Sequence, residues 1–314
     1  MLPLVSILIP CFNAERWLKE CIESALAQTY PSKEIVVVDD GSTDRSTEVA
    51  RSFGTHVRVQ RNEHLGGNAT RNHLLRLSRG EWLQYLDADD YLLPDKIAGQ
   101  MQRVLKDEPQ PDVIYGSTFL LDEFTGERRL AFVDPNVDPY LHFIQWTGFT
   151  TNSLLLRKSA TAAAGGWDES LACCQERELV LRLIMNNARF VFVEEAGAVY
   201  RYHGTSSVSR RNPKLVTEQR VLLVERLISF LIERGLLKRR HARAAAVARI
   251  ECARTLYQHD PEIARSLFRK ATANYGRLLP AGPATPWSYR LALAVFGFDR
   301  AETIAKRMRT FRRK

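Results

Sequence analysis

Three carboxylates stand within four residues at Asp87-Ala88-Asp89-Asp90. Acids this close repel one another unless positive charge lies among them. A divalent cation held against a diphosphate supplies it, because hard cations such as Mn²⁺ and Mg²⁺ take oxygen ligands. The same four residues also read as a solvated acidic turn that caps the next helix. A second acidic stretch, Asp39-Asp40-Gly41-Ser42-Thr43-Asp44, and the turn Gly66-Gly67, soon followed by Arg71, are the other places where polar groups cluster.

Each of these stretches follows an apolar run that reads as a strand: residues 34–38 before Asp39, 57–61 before the glycine turn, and 82–86 before Asp87. Residues 4–9 form a first strand ending at Pro10, with Phe12 beyond it and Asn13 as cap of a helix carrying Trp17, Leu18, Cys21, Ile22, Ala25 and Leu26 at helical spacing. Further helices are expected from about 45, over 68–78 and over 94–106. Alternating strands and helices predict an α/β fold, a doubly wound, mostly parallel sheet with helices on both faces. Ligands of such sheets bind at the carboxyl ends of the strands, where the polar clusters fall.

After Pro111 the pattern changes. Residues 113–121 and 129–133 read as strands joined by a turn, an insertion expected over the sheet edge. Residues 151–156 read as a short strand, 175–186 as a helix, and 190–193 and 198–202 as two closing strands. From Pro213 the chain is helical, with Asp260-Pro261 opening one helix in the cap-then-proline order. The expected division is therefore 1–212, bearing the motifs, and 213–314, a basic α-helical extension for oligomerisation or membrane-surface contact. Within the latter, residues 280–286 read as a linker, and Trp287, Tyr289, Leu291, Leu293, Val295, Phe296 and Phe298 precede the basic end Lys306, Arg307, Arg309, Arg312, Arg313 and Lys314. Aromatic and basic residues in this order suit contact with an anionic membrane surface; a docked helix with a solvated tail is the alternative.

Composition narrows the classes. Lys and Arg number 45 against 36 Asp and Glu, a net charge of +9, which favours an anionic partner. Five cysteines without a Cys-x-x-Cys pair argue against a disulfide framework or zinc site and fit a reducing cytoplasm. The amino terminus lacks the pattern of a signal peptide, and no apolar stretch reaches the roughly 20 residues of a membrane span. A nucleic-acid-binding protein is suggested by charge alone, without RNA-binding motif or zinc spacing, so no nucleic-acid partner is expected. A dinucleotide oxidoreductase lacks its Gly-x-Gly-x-x-Gly turn.

Taken together, Ile9-Pro10-Cys11-Phe12-Asn13, the Asp39 stretch, the glycine turn, Asp87-Ala88-Asp89 and Gly165-Gly166-Trp167-Asp168-Glu169 resemble, in order and spacing, the inverting family 2 glycosyltransferases of the GT-A fold, over residues 3–210. The resemblance implies a nucleotide-sugar donor, a UDP-sugar foremost, and a glycan or lipid-linked acceptor, in polysaccharide biosynthesis at the cell envelope. The cysteine usage suits a cytoplasmic enzyme, and the basic tail would hold it peripherally at the inner face of the membrane. Pro10 and Phe12 would wall the base and Asp40 would accept its N–H, with Asp39 a structural cap. Arg71 would reach a phosphate or be an ordinary surface arginine. Asp87 would face the ribose or nucleotide, beside Ala88, and Asp89 would ligate Mn²⁺ or Mg²⁺. The family's Glu-Asp pair is here Gln175-Glu176, so Glu176 falls at the place of the catalytic base. Its extra methylene shifts the carboxylate by about 1 Å, and such displacements can cost about 100-fold in rate. Glu178 is the other candidate base; both acids also suit a helix N-terminus. His203, in Tyr200-Arg201-Tyr202-His203, would approach the metal or diphosphate, or be a polar loop residue, and residues 206–211 would fold over the diphosphate. The Glu-for-Asp change leaves open a sugar-nucleotide-binding protein that has lost transfer.

Overall fold

The structure is a computed structural model that describes residues 1–204, 212–273 and 285–311, with side chains to residue 307. The expected lid at 206–211, most of the linker at 280–286 and the basic side chains from Arg309 onward lie outside the described residues. The chain divides into two compact units, Met1–Ser207 and Val208–Lys314.

The first unit is built on a mixed sheet in the order β3-β2-β1-β4-β8-β6-β9-β5, with β7 paired to β6. Its first half is parallel: β1 (Val5–Cys11), β2 (Lys33–Asp39), β3 (Arg58–Arg61) and β4 (Trp82–Tyr85). Residues 5, 7, 9 and 11 of β1 point to one face, as the two-residue period of a strand requires. They pack with Ile35 and Val37 against Leu18, Cys21, Ile22 and Ala25 of α1 (Leu18–Leu26), Ala50 of α2 (Ser46–Arg51), and Ile97, Met101 and Val104 of α4 (Lys96–Lys106). Ser6, Leu8, Val36 and Val38 are equally buried and face the other way, and α3 (Gly67–Leu77) packs on β1 and β2. The strand order reverses between β1 and β4, which opens a crevice at their carboxyl ends.

The second half departs from the sequence reading. Residues 113–122 form β6 (Val113–Asp122), which lies inside the sheet between β8 (Leu155–Arg157) and β9 (Phe190–Tyr202), antiparallel to the first and parallel to the second. Only its hairpin partner β7 (Arg128–Ala131) is peripheral. The two strands expected at 190–193 and 198–202 are one strand, β9, whose register against β6 shifts between Gly116 and Thr118. A Cβ on Gly116 would lie 2.7 Å from the Val193 carbonyl oxygen, so the bulge needs glycine there. Residues 151–153 form a 3-10 turn before β8, and β5 (Tyr91–Leu92), α5 (Pro139–Gln145) and α6 (Lys158–Ala163) had no expected counterpart. The helix expected at 175–186 is α7 (Gln175–Met185).

Asn13 does not cap α1. It sits in the left-handed region at φ 49°, and its Oδ1 accepts the backbone N–H of Thr43 at 2.8 Å, tying the β1 and β2 loops together. Helix α1 starts later, after Trp17.

The second unit is helical: α8 (Pro213–Glu233), α9 (Arg239–Leu256), α10 (Pro261–Thr272) and α11 (Trp287–Phe311), the last interrupted at Gly297. Asp260 caps α10 by accepting the Ile263 N–H at 3.1 Å, as its sequence predicts. Small residues of α9, among them Ala246 and Ala253, allow close packing, and Phe298 of α11 stacks on Phe268 of α10 at 4.4 Å. Arg249 clasps Glu225 with two bonds of 2.7 and 3.1 Å, and Arg254 reaches the buried Glu302 at 2.8 Å. Among the described residues no helix is long and apolar enough to cross a membrane.

Candidate functional site

The crevice begins at the end of β1. Phe12 is 46% exposed, and its ring stacks on His64 with centroids 4.2 Å apart. Pro10 is half-buried beside it, paired in register with Val38. Asp39 is fully buried and spends its carboxylate locally, accepting from the backbone N–H and hydroxyl of Ser42 and the hydroxyl of Thr47. It is a cap for the β2 loop, as one sequence reading held. Asp40 is also buried. Its oxygens accept the backbone N–H groups of Leu65 and Gly66 at 2.9 Å each, and His64 Nδ1 lies 3.1 Å away. Asp40 thus fastens the turn that starts α3, with lone pairs left for one further donor.

Beyond β4 the acids separate by role. Asp90 is buried, accepting from the Arg201 N–H at 2.8 Å and from Asn152 Nδ2 at 2.9 Å. It pins the turn from below, to β9 on one side and to the 3-10 turn on the other, and burial together with Asp89 and Asp87 raises its pKa well above the ordinary range. Ala88 is buried, as its small side chain permits. Asp87 and Asp89 are the two that remain accessible, at 25% and 36% side-chain exposure. Asp87 accepts from Arg71 at 2.6 Å. The Arg71 guanidinium lies 4.9 Å over the ring of Trp167. Burial opposes its charge, and Asp87 outweighs that effect to raise its pKa. Asp89 Oδ2 lies 2.7 Å from His203 Nε2. Burial, then the like charge of Asp87, raises the Asp89 pKa.

His203 is held in turn. Its ring packs on Trp17 at 4.4 Å, and the Trp17 indole N–H donates to Glu123 at 2.9 Å. Arg201 donates from Nε to the Asp89 carbonyl at 2.9 Å.

Glu176 enters from the first turn of α7, 28% exposed, 3.9 Å from Arg177. Arg71 and Asp87 both act on it electrostatically, and burial raises its pKa. Two asparagines of α3 set the approach to this helix. Asn68 donates to the carbonyls of Asp168 and Leu171, and Asn72 both donates to the Trp167 carbonyl and accepts its N–H, each at 2.8 Å. Glu178 is buried and accepts from Arg182 at 2.7 Å. The alternative base is thus committed to an ion pair within its own helix.

The acidic turn can be tested as a cation site by its donors. Asp89 and His203 provide a carboxylate and an imidazole side by side, with Asp87 adding negative charge. Among the described residues no three His, Cys, Asp or Glu surround one point. A hard cation that completes its shell with diphosphate oxygens and water needs only such a partial set, and Mg²⁺ is typically held that way. The residues therefore fit Mn²⁺ or Mg²⁺ bound together with a nucleotide.

Sequence reasoning missed His64 and Asn152, and named Trp17, Arg201 and Trp167 without giving them a role at the site. Trp17 was read only as an apolar helix position. Its indole N–H, which a buried tryptophan must satisfy, was the available signal.

Residues 6–159 match the model of Glycosyl transferase family 2. An uncharacterized glycosyltransferase of Rickettsia typhi is 31% identical over 194 residues, covering 58% of this chain and 59% of that protein. The chain therefore spans about three fifths of that relative's length. Among solved structures, S. aureus TarS 1-349 in complex with UDP-GlcNAc shares the fold with a TM-score of 0.62 at 16% identity, over 98% of this chain and 92% of that one. The mannosyltransferase PcManGT of Pyrobaculum calidifontis, in complex with GDP-Man and Mn²⁺, does so with a TM-score of 0.59 at 17% identity, over 99% and 88%. Motif order, sequence similarity and architecture agree: residues 6–159 form a glycosyl transferase family 2 domain, and the fold is GT-A.

Proposed function

We propose that this protein transfers a sugar from a nucleotide-sugar donor, a UDP-sugar foremost, to a hydroxyl of a glycan or lipid-linked acceptor, with inversion at the anomeric carbon. The observation that carries the reading is the convergence of Asp87, Asp89 and His203 with Glu176, through Arg71, at the strand-order reversal. TarS, whose structure holds UDP-GlcNAc, and PcManGT, whose structure holds GDP-Man and Mn²⁺, support the donor class.

In this reading Phe12 and Pro10 flank the base and Asp40 accepts its N–H. Asp89 and His203 would hold Mn²⁺ or Mg²⁺, which would supply positive charge against the departing diphosphate. Arg71 lies close enough to Asp87 to orient it toward the nucleotide. Glu176 takes the proton of the acceptor hydroxyl as that oxygen bonds to the anomeric carbon. The bond from that carbon to the diphosphate breaks, and the nucleoside diphosphate leaves with its electron pair. The setting is cytoplasmic, at the inner face of the membrane, with residues 213–314 as an appended helical domain that makes the contact.

Thermal melts with UDP, GDP, dTDP and CDP, each with and without Mn²⁺, test the reading. A ligand at 100 times its dissociation constant stabilises by about 2.7 kcal/mol. A metal-dependent shift with one nucleotide is expected, followed by release of that nucleotide from its sugar conjugate when acceptor is supplied. Absence of any shift from folded protein rejects the donor site. A shift without turnover favours the second reading, a sugar-nucleotide-binding protein, for which the motivating observation is Glu176 where the family places Asp.

A further inference from the structure

We propose that the outward face of α11 is a docking surface for an anionic lipid bilayer. The proposal rests on the membrane contact of the proposed function and gives it residues, but its test involves no sugar transfer.

The amino-terminal part of α11 is apolar on two opposite sides. Its inner side is already used: Tyr289 is buried, its hydroxyl donates to Glu302 at 2.6 Å, and Arg254 lies 3.9 Å over its ring. These contacts fix the helix on its own unit. On the other side Trp287 is 75%, Leu291 58% and Val295 63% exposed, at the i, i+4, i+8 spacing that lines one face. Arg290 is exposed beside them, and Phe296 is 49% exposed at the interruption of the helix. A solvated helix face is ordinarily polar, so a rigid row of tryptophan, leucine and valine needs a partner.

Charge identifies that partner. Residues 213–314 hold 22 Lys and Arg against 8 Asp and Glu, a net +14, whereas residues 1–212 hold 23 against 28, a net −5. The net positive charge of the chain thus lies in the unit that carries the apolar row. A second copy of this unit would bring like charge to the face, which disfavours a dimer through it. An anionic bilayer meets both demands. Tryptophan prefers the interface, aliphatic side chains enter the acyl boundary, and Arg290 and Arg307 reach headgroup phosphates. Each basic residue near such a surface contributes attraction that salt weakens.

The test is cosedimentation of the full chain with vesicles of phosphatidylcholine alone or mixed with phosphatidylglycerol. Binding is expected to the mixed vesicles, to fall with salt, and to drop roughly tenfold or more in the combined Trp287→Ser, Leu291→Ser, Val295→Ser variant. Tryptophan emission should shift to the blue on binding, and Trp287→Phe should remove most of that shift, a comparison that stands even if the triple variant fails to fold. Undiminished binding by a folded triple variant overturns the proposal, because the basic residues would then suffice. So does failure of the wild-type chain to bind either vesicle, or a wild-type dimer that the triple variant dissolves.

Discussion

His203 Nε2 stands 2.7 Å from Asp89 Oδ2, joining positions 114 residues apart in the chain. The end of the last strand of the sheet thereby closes on the turn after its fourth. Neither group is free to wander: Trp17 backs the imidazole, and Arg201 holds the Asp89 carbonyl. A cation meeting this pair finds a carboxylate and an imidazole already side by side.

Asp89→Asn should therefore remove metal-dependent nucleotide stabilisation and lower transfer by about 100- to 1000-fold, the scale of losing one group that stabilises developing charge. Turnover and melting with Mn²⁺ measure both. Wild-type rates in this variant would take the cation away from Asp89.

The two glutamates of α7 should separate cleanly. Glu176→Gln is expected to abolish transfer while leaving nucleotide-induced stabilisation intact. Glu178→Gln should keep turnover but lose about 1.5–3 kcal/mol of stability, the worth of a charge-assisted hydrogen bond, since Arg182 loses its carboxylate. An inactive, stable Glu178→Gln protein would reverse the assignment.

The acid side of the pH profile should follow Glu176. Burial raises its pKa, and a base works only when ionised. Activity is thus present above that raised value and is lost as pH falls through it, at a pH above the roughly 4.3 of an ordinary glutamate. A kcat/KM profile still flat at pH of about 4 would contradict this.

Asn152 supports Asp90 from beneath the turn, donating at 2.9 Å where the carboxylate has no access to water. Asn152→Leu should cost about 1–3 kcal/mol, the penalty of an unsatisfied buried group. An unchanged urea midpoint would show that the bond contributes nothing to stability.

Much of the parallel half was legible because its strands are uninterrupted apolar runs ending in acids or glycine. Local pattern does not encode which strand lies next to which. The run beginning Val113-Ile114-Tyr115 reads as buried, yet nothing in it says that it pairs with β8 and β9 rather than an edge. The exposed Glu194 and Glu195 break the apolar pattern of β9, although the backbone continues through a bulge. Asn13 was misread because its oxygen has two suitable N–H targets, and the one across the loop wins. The acids Asp87, Asp89 and Glu176 could be named from motif order. The structural part of Asp90 could not, because its contacts to Arg201 and Asn152 come from distant parts of the chain.

The clamp on Asp90 also sets an order of assembly. A nascent chain that has emerged only through β4 can form its parallel strands but not a properly held acidic turn, which awaits Asn152 and then Arg201. The segment matched to the family ends at residue 159, before Glu176, Arg201 and His203 have been made. A fragment cut there would keep the parallel half-sheet and lack Glu176, His203 and one jaw of the clamp. The two residues that complete the acidic turn from outside, Arg201 and His203, are thus among the last of this unit to be synthesised.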